Sequence, residues 1–183
     1  MPKVSQEHLD RRRQQILDAA RECFTKQGFH ATSMQDIFKA SGLSAGAVYR
    51  YFPSKHELVK AIAGESLEVV LARLSLAGDV SRNMAEIMTT LIEAFTGGGP
   101  LAGTRPILIQ VWAEAPRDPE MAAIARDLLG QLAERTARVL PAGTPPEVAR
   151  LLVATVQGFL VQSLVFDDVR MELVATAARA AFR

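Results

Sequence analysis

The 183-residue sequence holds one cysteine, one tryptophan and two tyrosines. A lone cysteine can form neither an internal disulfide nor a cysteine-rich metal site. Sustained period-2 alternation of apolar and polar residues is missing, which argues against a half-buried sheet as the main scaffold. No Gly-rich phosphate loop and no metal-ligand spacing occurs, and the three histidines (His8, His30 and His56) all fall in the first third. The usual carriers of catalysis are therefore lacking, and the chain is expected to be a non-enzyme with no cofactor and no metal. Long apolar runs are scarce too. The uncharged stretch from Leu151 to Phe166 is interrupted by Thr155, Gln157, Gly158, Gln162 and Ser163. It is shorter than the ~20 mostly apolar residues of a membrane span. The start, Met1-Pro2-Lys3-Val4-Ser5-Gln6-Glu7, lacks the apolar core of a signal peptide, so a cytoplasmic location with no membrane partner is expected.

Net charge is nearly absent as well, at +1, which by itself argues against a histone-like polycation. Hydrophobic residues at 49% and charged residues at 22% are ordinary for a folded chain, so wholesale disorder is excluded. The small net charge conceals a division. Residues 1–63 carry ten Lys and Arg against six acids, whereas residues 64–183 carry eleven Arg against fourteen acids and no lysine. A basic first third beside an acidic remainder predicts two domains, 1–63 and 64–183, the first with a polyanionic partner.

Helical periodicity recurs along the whole chain, so the fold class is all-α with about nine helices. A first helix from about Gln6 carries Leu9, Ile16, Ala20, Cys23, Phe24 and Gln27 on one stripe, and Gly28 stands where a helix-ending residue of positive φ belongs. Thr32-Ser33-Met34-Gln35 has the pattern of a capping box for a short helix to Ala40. Ser44 is placed to cap another, ending near Tyr51 or Phe52. Ser54-Lys55-His56-Glu57 starts a longer helix that continues to about Leu76. Breaks follow at Gly78-Asp79-Val80-Ser81 and Gly97-Gly98-Gly99-Pro100, with helices from Arg82 to Thr96 and Pro106 to Ala115. Asp118-Pro119-Glu120 and Thr144-Pro145-Pro146-Glu147 each supply a cap and a first-turn proline, and a last helix reaches Phe182.

Two short helices joined by Ser41-Gly42-Leu43, within about residues 32–51, form a helix-turn-helix pattern. Met34, Ile37, Leu43 and Val48 are spaced to pack across the turn. The second helix opens on Ser44-Ala45-Gly46-Ala47, small residues that let its backbone approach base edges, and closes on Tyr49, Arg50 and Tyr51, suited to phosphates. An ordinary helical hairpin buried in a core would not collect these residues with Lys55 on its exposed side. Arg11-Arg12-Arg13 is equally compatible with flanking phosphates and with a solvated helix face.

The run from Thr32 to Leu58 resembles the N-terminal domain of TetR-family transcriptional regulators, above all in Val48-Tyr49-Arg50-Tyr51-Phe52-Pro53-Ser54-Lys55-His56-Glu57-Leu58. The resemblance covers roughly residues 8–62. It implies a dimeric DNA-binding regulator, with Thr32 and Ser33 meeting phosphate and Met34 and Gln35 reaching the groove. It further implies that Ser44, Ala45, Gly46 and Ala47 lead the recognition helix, and that Tyr49, Tyr51 and Lys55 contact phosphates. Arg50 matches a position touching base or backbone. Phe38 departs from the pattern, since the family most often has alanine there, and this puts the pose of the recognition helix in question.

In the second domain, the uncharged run 151–166 is apolar nearly all round its helix, so it must be covered on more than one side. A dimer interface with the alanine-rich last helix is expected, through Val153, Val161, Leu164, Val165, Ala177, Ala178 and Ala181. The proposed effector pocket draws on Met84, Met88, Leu91, Phe95, Met121 and Phe159 for apolar lining. Trp112 belongs to the same lining, and the amides of Gln110, Gln157 and Gln162 would orient a largely hydrophobic small molecule. The expected function is a homodimeric repressor that leaves a palindromic operator in double-stranded DNA when its effector binds, the connecting helix carrying the change. The alternative is a helical small-molecule-binding or interaction protein with altered or lost DNA binding.

Overall fold

A computed structural model describes residues 6–76, 83–95 and 101–181. Among these residues there are nine α-helices, a 3-10 turn at Ala102–Thr104 and no strand. The chain divides into two compact units, Met1–Ala63 and Gly64–Arg183.

The first unit contains α1 (Gln6–Ala31), α2 (Met34–Ser41), α3 (Ala45–Tyr49) and the start of α4 (Lys55–Leu76). Its core is drawn from Ile16, Leu17 and Phe24 of α1, Ile37 of α2, Val48 of α3, and Leu58 and Ile62 of α4, all buried, with α2 packed on both α1 and α3. Helix α1 is broken at Gly28, as the sequence predicts. That residue takes φ 82°, ψ 167°, a backbone state nearly confined to glycine, and a final helical turn resumes beyond it to Ala31. The expected capping box sits one residue later than its sequence pattern. Ser33 Oγ accepts from the Asp36 amide at 3.2 Å, and the Asp36 carboxylate accepts from the Ser33 amide at 2.9 Å. Thr32 is excluded from the box because its hydroxyl turns back to donate to Gly28 O at 2.7 Å.

Gly42 closes α2 in the left-handed region at φ 67°, its amide directed to Lys39 O and Phe38 O. Only a residue without Cβ adopts this state cheaply. Gly42→Ala is therefore expected to lower the stability of the first unit by about 1–2 kcal/mol. A urea melt reading the whole-chain transition checks this, and an unchanged midpoint would refute the assigned strain.

The second unit holds the rest of α4, then α5 (Met84–Glu93), α6 (Arg105–Glu114), α7 (Pro119–Val139), α8 (Pro146–Val165) and α9 (Met171–Ala181). Asn83 caps α5 through Glu86 N, and Asp118 caps α7 through Glu120 N and Met121 N. Helix α8 has no such cap. Its N-cap is Pro145, because the Thr144 hydroxyl donates instead to Pro141 O at 2.7 Å. Helix α5 buries Ile87, Met88, Leu91 and Ile92 at the middle of the unit, with α9 laid along it and an Arg179–Glu93 ion pair joining the two. Helices α6, α7 and α8 pack on one another. The expected breaks at 78–81 and 97–100 and the terminal Phe182 lie outside the described residues.

Candidate functional site

Helix α2 presents its N-terminus through the Ser33–Asp36 box. The Ser33 hydroxyl, then its amide, hold the Asp36 carboxyl below the usual carboxylate range. First-turn amides at such a start have no intrahelical acceptor, and they favour an anion. Helix α3 begins at Ser44, whose Oγ accepts from Ala47 N at 3.3 Å. Ile37 of α2 and Val48 of α3 are fully buried, and the two helices pack on one another. Ser44, Ala45, Gly46 and Arg50 are exposed, Ala47 and Tyr51 are half-buried, and Tyr49 is 49% exposed. The structure thus gathers Ser33, Gln35, Ser44, Ala45, Gly46, Tyr49 and Arg50 on accessible positions of one helix pair, with Met34 half-buried beside them.

Two of the expected phosphate ligands are otherwise engaged. Thr32 is only 1% exposed and its hydroxyl is bound to Gly28 O, so its side chain cannot serve as a DNA ligand. Lys55 directs Nζ to Phe29 O and Thr32 O, both at 2.7 Å, and lies 4.4 Å from the Phe29 ring centroid. Burial pushes its ammonium below the usual lysine range. It pins the first turn of α4 to the turn between α1 and α2, and an ammonium with three hydrogens has one left over. His30 and His56 stand edge-on to the same Phe29 ring, at 5.7 and 5.1 Å between centroids.

Phe38 does not wedge α2 from α3. Its ring meets Tyr49 edge-to-face at 5.3 Å and 71°, a favoured aromatic geometry, so the extra bulk goes to bracing a tyrosine at the end of the recognition helix. Sequence reasoning had no signal for this pairing. The basic cluster on α1 is engaged locally: Arg11 with Glu7, Arg12 with Gln15, and Arg13 over the Phe52 ring at 5.5 Å. Gln15 also donates to Ser41 O at 2.7 Å, tying α1 to the end of α2. Cys23 is buried, and its thiol is pushed up by burial, which leaves it a core group.

The second unit contains a cavity of about 360 Å³ walled by α5, α8, α9 and the turn 168–170. Of the expected pocket residues, Met88, Phe159 and Gln162 line it. Leu91, Phe95 and Met121 are buried core, and Met84, Gln110 and Trp112 are half-buried; none of these six lines the cavity. Gln157 is likewise absent from the lining, since it projects from the side of α8 roughly opposite Phe159, about 160° away at 100° per residue. Ile92, Val174 and Arg170 line the cavity without having been expected to; the apolar face of α9 gave no sign that it was shared between a cavity and an interface.

The expected dimer residues divide in two. Val161, Leu164 and Val165 are exposed, as are Ala177 and Ala181. Val153 and Ala178 are buried within their own unit, at 5% and 7% exposure, so they offer a partner no useful area and are withdrawn from the interface. Leu151, which was not among the expected residues, is 65% exposed. Helix α8 is long and apolar enough by composition to cross a membrane, yet only 28% of its most apolar window is buried.

The family model described as bacterial regulatory proteins, tetR family, matches residues 16–62, and that of the tetracyclin repressor-like C-terminal domain matches residues 79–183. The uncharacterised HTH-type transcriptional regulator YfiR of Bacillus subtilis is 28% identical over 98% of this chain and 93% of its own length. The solved structure of Salmonella enterica GusR has 30% identity and a TM-score of 0.75, covering 98% of this chain and 96% of that one. A transcriptional regulator of Saccharomonospora viridis, solved in complex with choline, shares the fold at 20% identity and a TM-score of 0.71, with 93% and 95% covered.

Proposed function

The chain belongs to the TetR family of bacterial transcriptional regulators, a family of ligand-responsive DNA-binding proteins, and from that premise we propose that it is a homodimeric repressor. In this reading it occupies a palindromic operator and leaves it when a small, largely hydrophobic molecule binds the second unit. It acts in the cytoplasm, as a regulator and not as an enzyme. The observation that carries the DNA-binding reading is the exposed turn Ser44-Ala45-Gly46 of α3, on a helix that packs against α2, with Ile37 and Val48 both fully buried, and flanked by Tyr49 and Arg50. Small side chains at the start of a recognition helix bring its backbone to the base edges, and polar groups at its end reach phosphates.

The dimer is supported by the uncovered face of α8. Leu151, Ala154, Gly158, Val161 and Val165 fall within an arc of about 80° at 100° per residue, and all five are exposed. Their small members at the middle permit close helix approach. A second copy covers this stripe by two-fold pairing and spaces two recognition helices along one operator. Such a dimer accounts for the apolar helix better than a membrane, because α8 also buries Leu152, Val156 and Leu160 in its own unit.

The test is a selection from random double-stranded DNA at low salt, repeated with a panel of hydrophobic small molecules. Recovery of a palindrome, lost with at least one of them, is the expected result. Failure to enrich any palindromic site would refute the regulator reading and favour a binding protein without DNA function. A sharper check uses Gly46, where a built Cβ meets nothing within 4 Å. Gly46→Ala is expected to raise stability by ~0.5–1 kcal/mol, as alanine for glycine does inside helices, while weakening or re-directing operator choice. Unchanged operator affinity and preference would mean that this turn does not approach the bases.

A further inference from the structure

The Phe38–Tyr49 ring pair lies outside the buried core of the first unit. Ile37 and Val48, one residue before each, are fully buried, whereas Phe38 is half-buried and Tyr49 is 49% exposed. The two short helices have their apolar burial without these rings, and the pair is left at the surface beside the exposed turn of α3. We propose that Phe38 is a positioning residue for operator binding: it fixes the Tyr49 ring so that the tyrosine hydroxyl is held ready to donate to a DNA phosphate.

Phe38 stands on a firmly tied turn. Its carbonyl accepts from Ser41 Oγ at 3.1 Å and from the Leu43 amide at 3.3 Å, and Gln15 of α1 donates to Ser41 O at 2.7 Å. Tyr49, by contrast, is the last residue of a five-residue helix. So short a helix is marginal by itself, and an unbraced, exposed tyrosine at its end would exchange between χ1 rotamers. Contact with Phe38, at 5.3 Å between centroids and 71° between ring planes, selects one of them. The hydroxyl oxygen lies on the axis of χ2, so χ1 decides where it stands. The O–H bond lies in the ring plane, so the tilt of the ring decides where its hydrogen points.

A donor ordered in the free protein gives up no rotamer freedom on binding, which raises affinity without adding a contact. Alanine, the residue more usual at this position, offers the tyrosine no ring to rest on. The acceptor that suits a single hydroxyl at the end of a recognition helix is a phosphate oxygen of the strand flanking the groove. Such a contact carries no base information, so Phe38 contributes to affinity for every site alike.

The inference rests on the DNA-binding reading above. Its test is a double-mutant cycle on the full chain, with the palindromic duplex enriched from random DNA as the probe. Tyr49→Phe keeps the ring and removes the hydroxyl, and it is expected to weaken binding about tenfold, the usual net strength of a hydrogen bond. Phe38→Leu keeps apolar bulk and removes the facing ring, and it is expected to weaken binding about fivefold, through the rotamer freedom returned to Tyr49. Placed on Tyr49→Phe, Phe38→Leu is expected to cost less than about twofold more, because both changes act through one hydroxyl. Phe38→Tyr, which retains a ring, is expected to bind as the wild type does. In the free protein, the NMR signals of the Tyr49 ring are expected to move in Phe38→Leu, on loss of the Phe38 ring current, and to hold in Phe38→Tyr. Thermal melts verify folding, and Phe38→Ala completes the same cycle should Phe38→Leu be unfolded. Independent losses that multiply in the double variant would overturn the inference, as would Tyr49 signals indifferent to Phe38→Leu. A loss confined to one base pair of the operator would place Tyr49 against a base edge and overturn the phosphate assignment. A wild-type chain that enriches no duplex defeats the regulator reading and this inference together, whereas multiplying losses in a chain that does enrich one defeat this inference alone.

Discussion

Lys55→Met is expected to destabilise the first unit by about 2–3 kcal/mol, through loss of charge-assisted hydrogen bonds to two backbone carbonyls. Methionine keeps most of the apolar stem, so the variant isolates the ammonium. Without it, Phe29 O and Thr32 O lose their shared donor, and the turn that carries Ser33 is no longer pinned to the first turn of α4. Ser33 is the N-cap of α2, so a loosened turn reaches the helix that supports α3. Operator affinity is expected to fall more than tenfold under conditions where the variant remains folded. Arginine is a poor replacement, because a planar guanidinium directs its donors differently from a compact ammonium. A melting curve insensitive to Lys55→Met would refute the pinning role. The slope of log affinity against log salt then apportions the third hydrogen: a slope smaller by about 0.9 assigns it to a phosphate, and an unchanged slope leaves Lys55 wholly to the turn.

That role marks the boundary of what this sequence discloses. Serine and acid at helix starts are legible because their partners lie two or three residues away, as at Ser44 and Asp118. Even there, Thr32 and Ser33 competed for one cap, and the outcome turned on Gly28 O, an acceptor with no signature in the side-chain sequence. Lys55 is harder still, since its acceptors are carbonyls 26 and 23 residues earlier. The motif that identified it as a DNA ligand says nothing of backbone partners. The cavity shows a further limit. Periodicity separates apolar from polar faces, but α8 and α9 each have apolar residues facing three ways, toward a core, a cavity and open surface. Val153 and Val161, eight residues apart with the same side chain, end on different sides for that reason: one is buried, the other 41% exposed. Helix α9 carries the same ambiguity in consecutive residues, Ala177 exposed and Ala178 buried.

Gly158→Arg is the variant with the largest expected effect on function, and it separates assembly from folding. A Cβ built at Gly158 meets nothing within 4 Å, so the subunit accommodates a side chain there, and helix propensity favours arginine over glycine. The stripe around it is apolar and exposed, with Ala154 and Val161 one turn away on either side. If a second copy covers this stripe, two-fold pairing introduces the change twice, and each guanidinium must either enter an apolar contact without a partner or push the helices apart. Leaving a buried charge unpaired costs about 3–5 kcal/mol, enough by itself to weaken a dimer about a hundredfold or more. Sedimentation is therefore expected to find monomers at micromolar concentration, with the helical content and melting transition of a folded subunit. Operator binding is expected to fall at least a hundredfold, because a monomer engages one half-site and loses the gain of two linked contacts. A Gly158→Arg protein that remains dimeric would place the interface elsewhere. A protein that becomes monomeric yet holds its operator with undiminished affinity would instead refute the requirement for two recognition helices.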